Sequence, residues 1–243
     1  VSPLVPDWVI SLMFVIEAIG WLTAYILIVK LGFQQKTYGM PIIALCGNIA
    51  WEFFYSVGVF PACSVSWEGC PPWLMRGGNA GAFVLDILIL YTIFRYGRSK
   101  FSQPFVVKYF YAIVIFGLLT ALGLVYFVET EFYRPNPGIP GYGDFMPIGL
   151  FSGVYTGYGM ALEMGLLFIA MFFSRKGLEG QSFYIALGMA VGNFTAYLLN
   201  VFTGTANTTV HVLYASGAII NWAYVVLVYQ RAKTMGLNPW KHF

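Results

Sequence analysis

Seven long apolar runs divide this chain, and no stretch of soluble-domain composition is left between them. About 20 apolar residues cross the hydrocarbon of a bilayer. The runs lie near 8–31, 40–60, 78–97, 105–127, 148–173, 181–203 and 209–230. Inside hydrocarbon every backbone polar group must be satisfied within its own segment, so runs of this kind fold as helices. The expected fold class is therefore all-α: a polytopic membrane protein, a single seven-helix transmembrane domain over 1–243. Only 9% of the residues are charged, against about a quarter in soluble domains. The net charge of +3 is too small and too dispersed for a nucleic-acid partner. The first residue is Val1, which implies a missing initiator Met or short leader, and no cleavable signal peptide is recognisable.

Charge sets the expected orientation. Lys30, Lys36, Arg95, Arg98, Lys100, Lys108, Arg175, Lys176, Arg231, Lys233 and Lys241 fall on one side, and only Arg76 and Arg134 on the other. The positive-inside rule then places the N-terminus outside or lumenal and the C-terminus in the cytosol. Cys63 and Cys70 share the first outer connection, where they are either bonded or two separate thiols. Asn207-Thr208-Thr209 is an outer-side glycosylation sequon lying close to the membrane.

An internal repeat is also expected. Glu17 with Gly47-Asn48 recurs as Glu163 with Gly192-Asn193, at a spacing of about 145 residues. "GAFVLD", ending at Asp86, has "GAIIN", ending at Asn221, as its counterpart. The plan is a parallel repeat of three helices, a linker helix and three more. A repeat of that kind places a binding site between its halves near mid-membrane.

Ionisable groups within hydrocarbon are costly and are candidates for function. Glu17, Glu52, Asp86 and Glu163 lie inside the runs, with no Lys or Arg deep enough to neutralise them. Glu17, Glu52 and Asp86 each lie about 12–14 Å below the outer surface, and Glu163 deeper. Helical spacing groups Asn48, Glu52 and Tyr55 on one face. It does the same for Ser152, Thr156, Gly159 and Glu163, and for Asn193, Tyr197 and Asn200. His211, Tyr214, Ala218, Asn221 and Val225 share a face of the last helix, with Tyr224 beside it. Such stripes on helices two, five, six and seven point to a shared cavity. Asn48 and Asn193 have a second reading as glue between helices. Glu17, with Trp21 and Tyr25 below it, and Asp86 read first as structural acids, and His211 as an interface residue. Gly153-x-x-x-Gly157 and Gly188-x-x-x-Gly192 read as helix-packing motifs. Glu52 differs in its collar of Trp51, Phe53 and Phe54. A carboxyl so desolvated is expected to keep its proton and to serve as a structural donor or a proton source.

The run "KTYGMPIIALCGNIAWEFFY" resembles the second helix of the small seven-span terpene cyclases of fungal meroterpenoid and indole-diterpene pathways, of paspaline and pyripyropene type. Its Asn-x-x-Trp-Glu core is here Asn48, Trp51 and Glu52. "GWLTAY", "LDILILYTIFRYGR" and "GQSFYIALGMAVG" extend the likeness over most of the chain. The resemblance implies an enzyme with neither metal nor diffusible cofactor. It protonates an epoxide or alkene of a lipophilic prenylated aromatic, indole or polyketide substrate, and guides a carbocation to ring closure. The family's proton donor falls on Glu52. A second family carboxylate, an Asp within Asp-x-x-Tyr of helix seven, falls on Asn221 and Tyr224, so this chain departs from the pattern. Glu163, Asp86 or Glu17 then stand as replacements, or Glu52 works alone.

Cations formed in such a reaction are stabilised by aromatic faces, at about 2 kcal/mol or more each when dry. Trp51, Phe54, Tyr55, Tyr155, Tyr158 and Tyr197 are the candidates near the stripes. Expected partners are the substrate and membrane lipids, with oligomeric state open, and a fungal source implies the endoplasmic reticulum. The competing reading is a small seven-helix transporter of the sugar-facilitator or PQ-loop type, although no Pro-Gln dipeptide occurs. A microbial rhodopsin needs a retinal-linking Lys deep in helix seven, and Lys233 lies past its end.

Overall fold

The computed structural model describes residues 4–60, 72–133, 152–204 and 206–241. Cys63 and Cys70 lie outside these residues. Seven α-helices are present among them: α1 (Asp7–Gln34), α2 (Ile42–Ser56), α3 (Pro72–Tyr96), α4 (Pro104–Tyr133), α5 (Ser152–Ser174), α6 (Phe183–Phe202) and α7 (Thr208–Thr234). A 3-10 turn, Gly97–Lys100, follows α3. The described residues form no strand.

Six of the seven helices are long and apolar enough to cross a membrane. The exception is α2, with 15 residues, about 22 Å of helix against a hydrocarbon core of about 30 Å. Its limits are local. Pro41 occupies the N-cap, where a missing N–H costs nothing. At the other end Gly58 adopts φ +77, and the Val59 amide returns to the Phe54 carbonyl at 3.0 Å. Other helices outrun their apolar stretches. α4 continues to Tyr133 and so takes in Glu129. α7 continues to Thr234, because its last turn places Arg231 and Lys233 at the negative end of the helix dipole.

The outside of the bundle is apolar and much of its polarity is inside. Leu12, Ile43, Val84, Phe116, Phe127 and Ile219 are exposed, whereas Asn48, Glu52, Asp86, Glu129, Asn193 and Asn221 are buried. That inversion is what a lipid solvent demands. α1 and α6 make the closest pair. A Cβ built on Gly188 meets the Gly20 carbonyl oxygen at 2.5 Å, and one built on Gly20 meets the Gly188 carbonyl oxygen at 2.8 Å. Small residues let the two backbones touch. α2 packs on α3 and α4, α5 on α7, α6 on α7, and α3 also reaches α1.

The basic end of the bundle is closed by its connections. Arg175 donates to the carbonyl of Glu179 and, at 2.8 Å, to that of Tyr38. Arg231 donates to the carbonyls of Phe172 and Arg175 at 2.7 and 2.9 Å. The Gly180 amide donates to the Gln35 side chain at 2.6 Å, and Lys100 pairs with Glu179. Under this lid Tyr224 donates to Gln181 at 3.1 Å.

Candidate active site

A cavity of about 530 Å³ occupies the opposite half of the bundle, enclosed by α1, α2, α3, α5 and α6. Its size falls within the range of small-molecule sites, roughly 300–1,000 Å³. Each helix contributes one stripe. From α1 come Phe14, Glu17, Trp21 and Tyr25; from α2, Asn48, Trp51, Glu52 and Tyr55; from α6, Asn193, Ala196 and Asn200. α5 offers the small and flexible face of Gly153, Gly157, Met160, Ala161 and Met164. Among the described residues no Lys or Arg lines the cavity. Among the described residues no three His, Cys, Asp or Glu side chains converge to hold a metal ion.

The floor is polar and organised by one amide. Asn48 spends both Nδ2 hydrogens, one on Asp86 Oδ2 at 2.9 Å and one on the Tyr25 hydroxyl. Tyr25, accepting that bond, keeps its own hydroxyl hydrogen for another group. Asp86 is fully buried on α3. Glu52 sits one turn above Asn48, 8% exposed, and its Oε2 makes no hydrogen bond with a described residue. A buried carboxyl oxygen without a protein partner calls for an explanation; Glu52 lines the cavity, while this oxygen is closed off from its open space. Glu17, on the α1 wall, also makes no hydrogen bond to a described residue. The indole of Trp51 stacks on Tyr55, with ring centroids 4.2 Å apart and planes at 29°.

The stripes read from the sequence meet this geometry unevenly. Glu52, Asn48, Trp51, Tyr55, Tyr158 and Asn193 all line the cavity, and Asp86 reaches it through Asn48. Glu163 does not; it is exposed on the far side of α5. Thr156 of the same stripe turns to α4, where it donates to Glu129, whereas the cavity face of α5 is mostly apolar. Tyr155 accepts from Asn207 at 2.6 Å. Tyr197 stacks on Tyr214 at 3.8 Å with planes 2° apart, and its hydroxyl meets His211 at 2.7 Å. Tyr224 is buried among Phe168 and Phe172 at the closed end. Asn221 lies 2% exposed beside a separate void of about 10 Å³, shared with Tyr158 and Asn193, and neither side-chain polar atom has a described partner. The enclosing helices are thus α1, α2, α3, α5 and α6, and α7 lines only the lesser void.

Trp21, Tyr25 and Asn79 line the cavity outside the expected set, and Glu129 was missed behind its wall. Glu17, Trp21 and Tyr25 carry a readable signal, since they recur at i, i+4 and i+8 on one face. Asn79 lies within the glycine-rich early turns of α3, and its position on the cavity follows only from the packing. Glu129 was hidden by its place just beyond the last apolar run of α4.

A profile of the family described as Pyr4-like transmembrane terpene cyclases matches residues 4–232. This chain belongs to that family. It is 27% identical over 191 residues to the Pyr4-family terpene cyclase mfmH of Annulohypoxylon moriforme, covering 78% of this chain and 69% of that relative. Terpene cyclase andB of Emericella variicolor is 30% identical over 122 residues, covering 50% of this chain and 48% of andB. Terpene cyclase pyr4 of Aspergillus fumigatus is 25% identical over 105 residues, covering 43% and 42%. The matched segments of andB and pyr4 thus span less than half of those relatives. No solved structure matches this chain. Membership of a family of transmembrane terpene cyclases agrees with the six long apolar helices and does not favour the carrier reading.

Proposed function

We propose that this cyclase is a Brønsted-acid enzyme in which Glu52 delivers the proton that starts cyclisation of a prenylated aromatic, indole or polyketide substrate. The observation that carries the reading is the buried Glu52 carboxyl on the wall of a largely apolar cavity, with one oxygen unpartnered among the described residues, next to Asn48, which holds Asp86 behind it. Glu52, in its acid form, gives its hydrogen to the epoxide oxygen as the C–O bond breaks. An internal alkene then attacks the resulting cationic carbon, forming the ring bond and moving the charge along the chain. Loss of a C–H proton ends the sequence as an isomerisation. Trp51, Tyr55, Trp21 and Tyr158 supply aromatic faces for the travelling charge. Glu17, on the wall of the same cavity, is the better second carboxylate, since Glu163 faces away from it and Asn221 borders another void.

The substrate reaches the site from the bilayer. Exposed Ala18 and Leu22 of α1 and exposed Gly78 and Gly81 of α3 all line the cavity, so its mouth opens sideways between these helices. We read the basic, closed end as cytosolic and the cavity half as outer or lumenal, with the endoplasmic reticulum as the location in a fungal cell. A three-plus-one-plus-three repeat is supported by matching partnerships: α3 packs on α1 and α2 as α7 packs on α5 and α6.

The test is cyclisation of a panel of epoxy-prenylated aromatics by membranes bearing the chain. Glu52→Gln is expected to lose at least about a hundredfold in rate, the lower range for general-acid catalysis. Normal turnover by that variant overturns the assignment.

A further inference from the structure

Behind the aromatic wall a hydrogen-bond chain joins three helices. The Trp51 indole nitrogen donates to Thr156 Oγ1 at 3.1 Å. An indole N–H can only donate, so the threonine oxygen must accept there, and its single hydrogen is left to point elsewhere. It goes to Glu129 Oε1; the alternative acceptor, the Gly153 carbonyl, is 3.5 Å away. Glu129 is 0% exposed, on α4. The chain therefore runs from α2 through α5 to α4 and reaches a carboxyl fully buried in the bundle. A buried carboxyl is costly in hydrocarbon, and packing of two helices does not require one. At the other end of the chain is the indole that stacks on Tyr55 and forms part of the cavity wall.

We propose, resting on the cyclase reading above, that Glu129 is a positioning residue: through Thr156 it fixes the plane of the Trp51 indole and so sets where along the substrate the carbocation is held. Glu129 and Thr156 do not line the cavity, so the indole of Trp51 is what carries their influence to its wall. The orientation of an aromatic quadrupole decides which carbon it stabilises. A tilted ring releases the cation early, before later rings close.

The experiment compares Thr156→Ser, Thr156→Val and Glu129→Leu with the parent chain in membranes, using the same epoxy-prenyl panel. The serine variant keeps the hydroxyl and is expected to match the parent within about twofold. The valine and leucine variants are expected to lose about tenfold in kcat, the scale of one aromatic contact to a cation. Their KM stays within about twofold, and incompletely cyclised products rise. Serine and valine variants with equal defects, or a valine variant with the parent's product profile, overturn the proposal. A second measurement does not depend on turnover. With 15N-labelled tryptophan in detergent micelles, and Trp51→Phe to assign the signal, the Trp51 indole N–H resonance is expected to move upfield in both Thr156→Val and Glu129→Leu. An unmoved resonance in Glu129→Leu overturns the proposal even if the parent cyclises no compound of the panel, an outcome that counts against the cyclase reading alone.

Discussion

Asn48 binds two buried groups with one amide, and that economy makes it vulnerable. Its Nδ2 hydrogens satisfy Asp86 Oδ2 and the Tyr25 hydroxyl, both at the cavity floor. Replacing Asn48 with Leu strands two buried polar atoms, at about 1–3 kcal/mol each. The expected outcome is a lower thermal midpoint in detergent, read from tryptophan fluorescence, together with reduced cyclisation as the floor loosens. The double variant Asn48→Leu/Asp86→Leu is expected to recover part of the stability, since it removes an orphaned carboxyl along with its donor, but not the activity. Equal midpoints for Asn48→Leu and the parent would remove the network from the account. At this scale the sequence was informative where helical spacing and burial coincide. Asn48, Glu52 and Tyr55 share one face of α2, and that face is the one lining the cavity. It was less informative for Glu163, which shares a stripe with Thr156: a polar stripe signals burial against something, and on α5 that something is Glu129 of α4.

α3 decides how the cavity meets the bilayer. Its second and third turns carry Gly77, Gly78, Asn79, Ala80 and Gly81, and a Cβ added to Gly77, Gly78 or Gly81 meets nothing within 4 Å. These glycines are therefore not demanded by close packing, unlike Gly20 and Gly188. What they leave is open space at the mouth. Gly81→Ala is expected to leave turnover within about twofold, because one methyl group narrows the opening little. Gly81→Trp is expected to raise KM at least about fivefold with a smaller change in kcat, because a large ring beside Leu22 obstructs passage without touching Glu52. A fall in kcat at constant KM would instead place Gly81 against the reacting atoms. Element boundaries were legible where caps or breakers stand in the sequence, as at Pro41 and Gly58 around α2. They were not legible at the end of α4, where the apolar run stops near Phe127 but the helix continues to Tyr133. Hydropathy reports contact with lipid, whereas helix continuation depends on the neighbours that bury Glu129.

Across the whole molecule the two ends are built for opposite purposes. The cavity half holds orphaned polar groups and spare volume, and the basic half is cross-tied by Arg175 and Arg231, which donate to backbone carbonyls of the α1–α2 and α5–α6 connections and the end of α5. Seven apolar runs foretell the seven α-helices of the described residues, but not this polarity, which depends on two arginines finding carbonyls in other connections. A carrier must open alternately at both ends, whereas a cyclase needs only one mouth and benefits from a rigid base that keeps water from the cation. Hydrogen bonds to a charged donor contribute about 1.5–3 kcal/mol each. Arg175→Leu is therefore expected to destabilise the protein by about 2–4 kcal/mol while leaving the product spectrum of the surviving fraction unchanged. Its readouts are the detergent melting midpoint and the product ratio at a temperature where the variant is folded. If the base were instead a gate, Arg175→Leu would keep its midpoint and make vesicles containing the protein leaky to a small solute enclosed with it. Stability loss with tight vesicles and unaltered products is the outcome that fits a cavity served from one side.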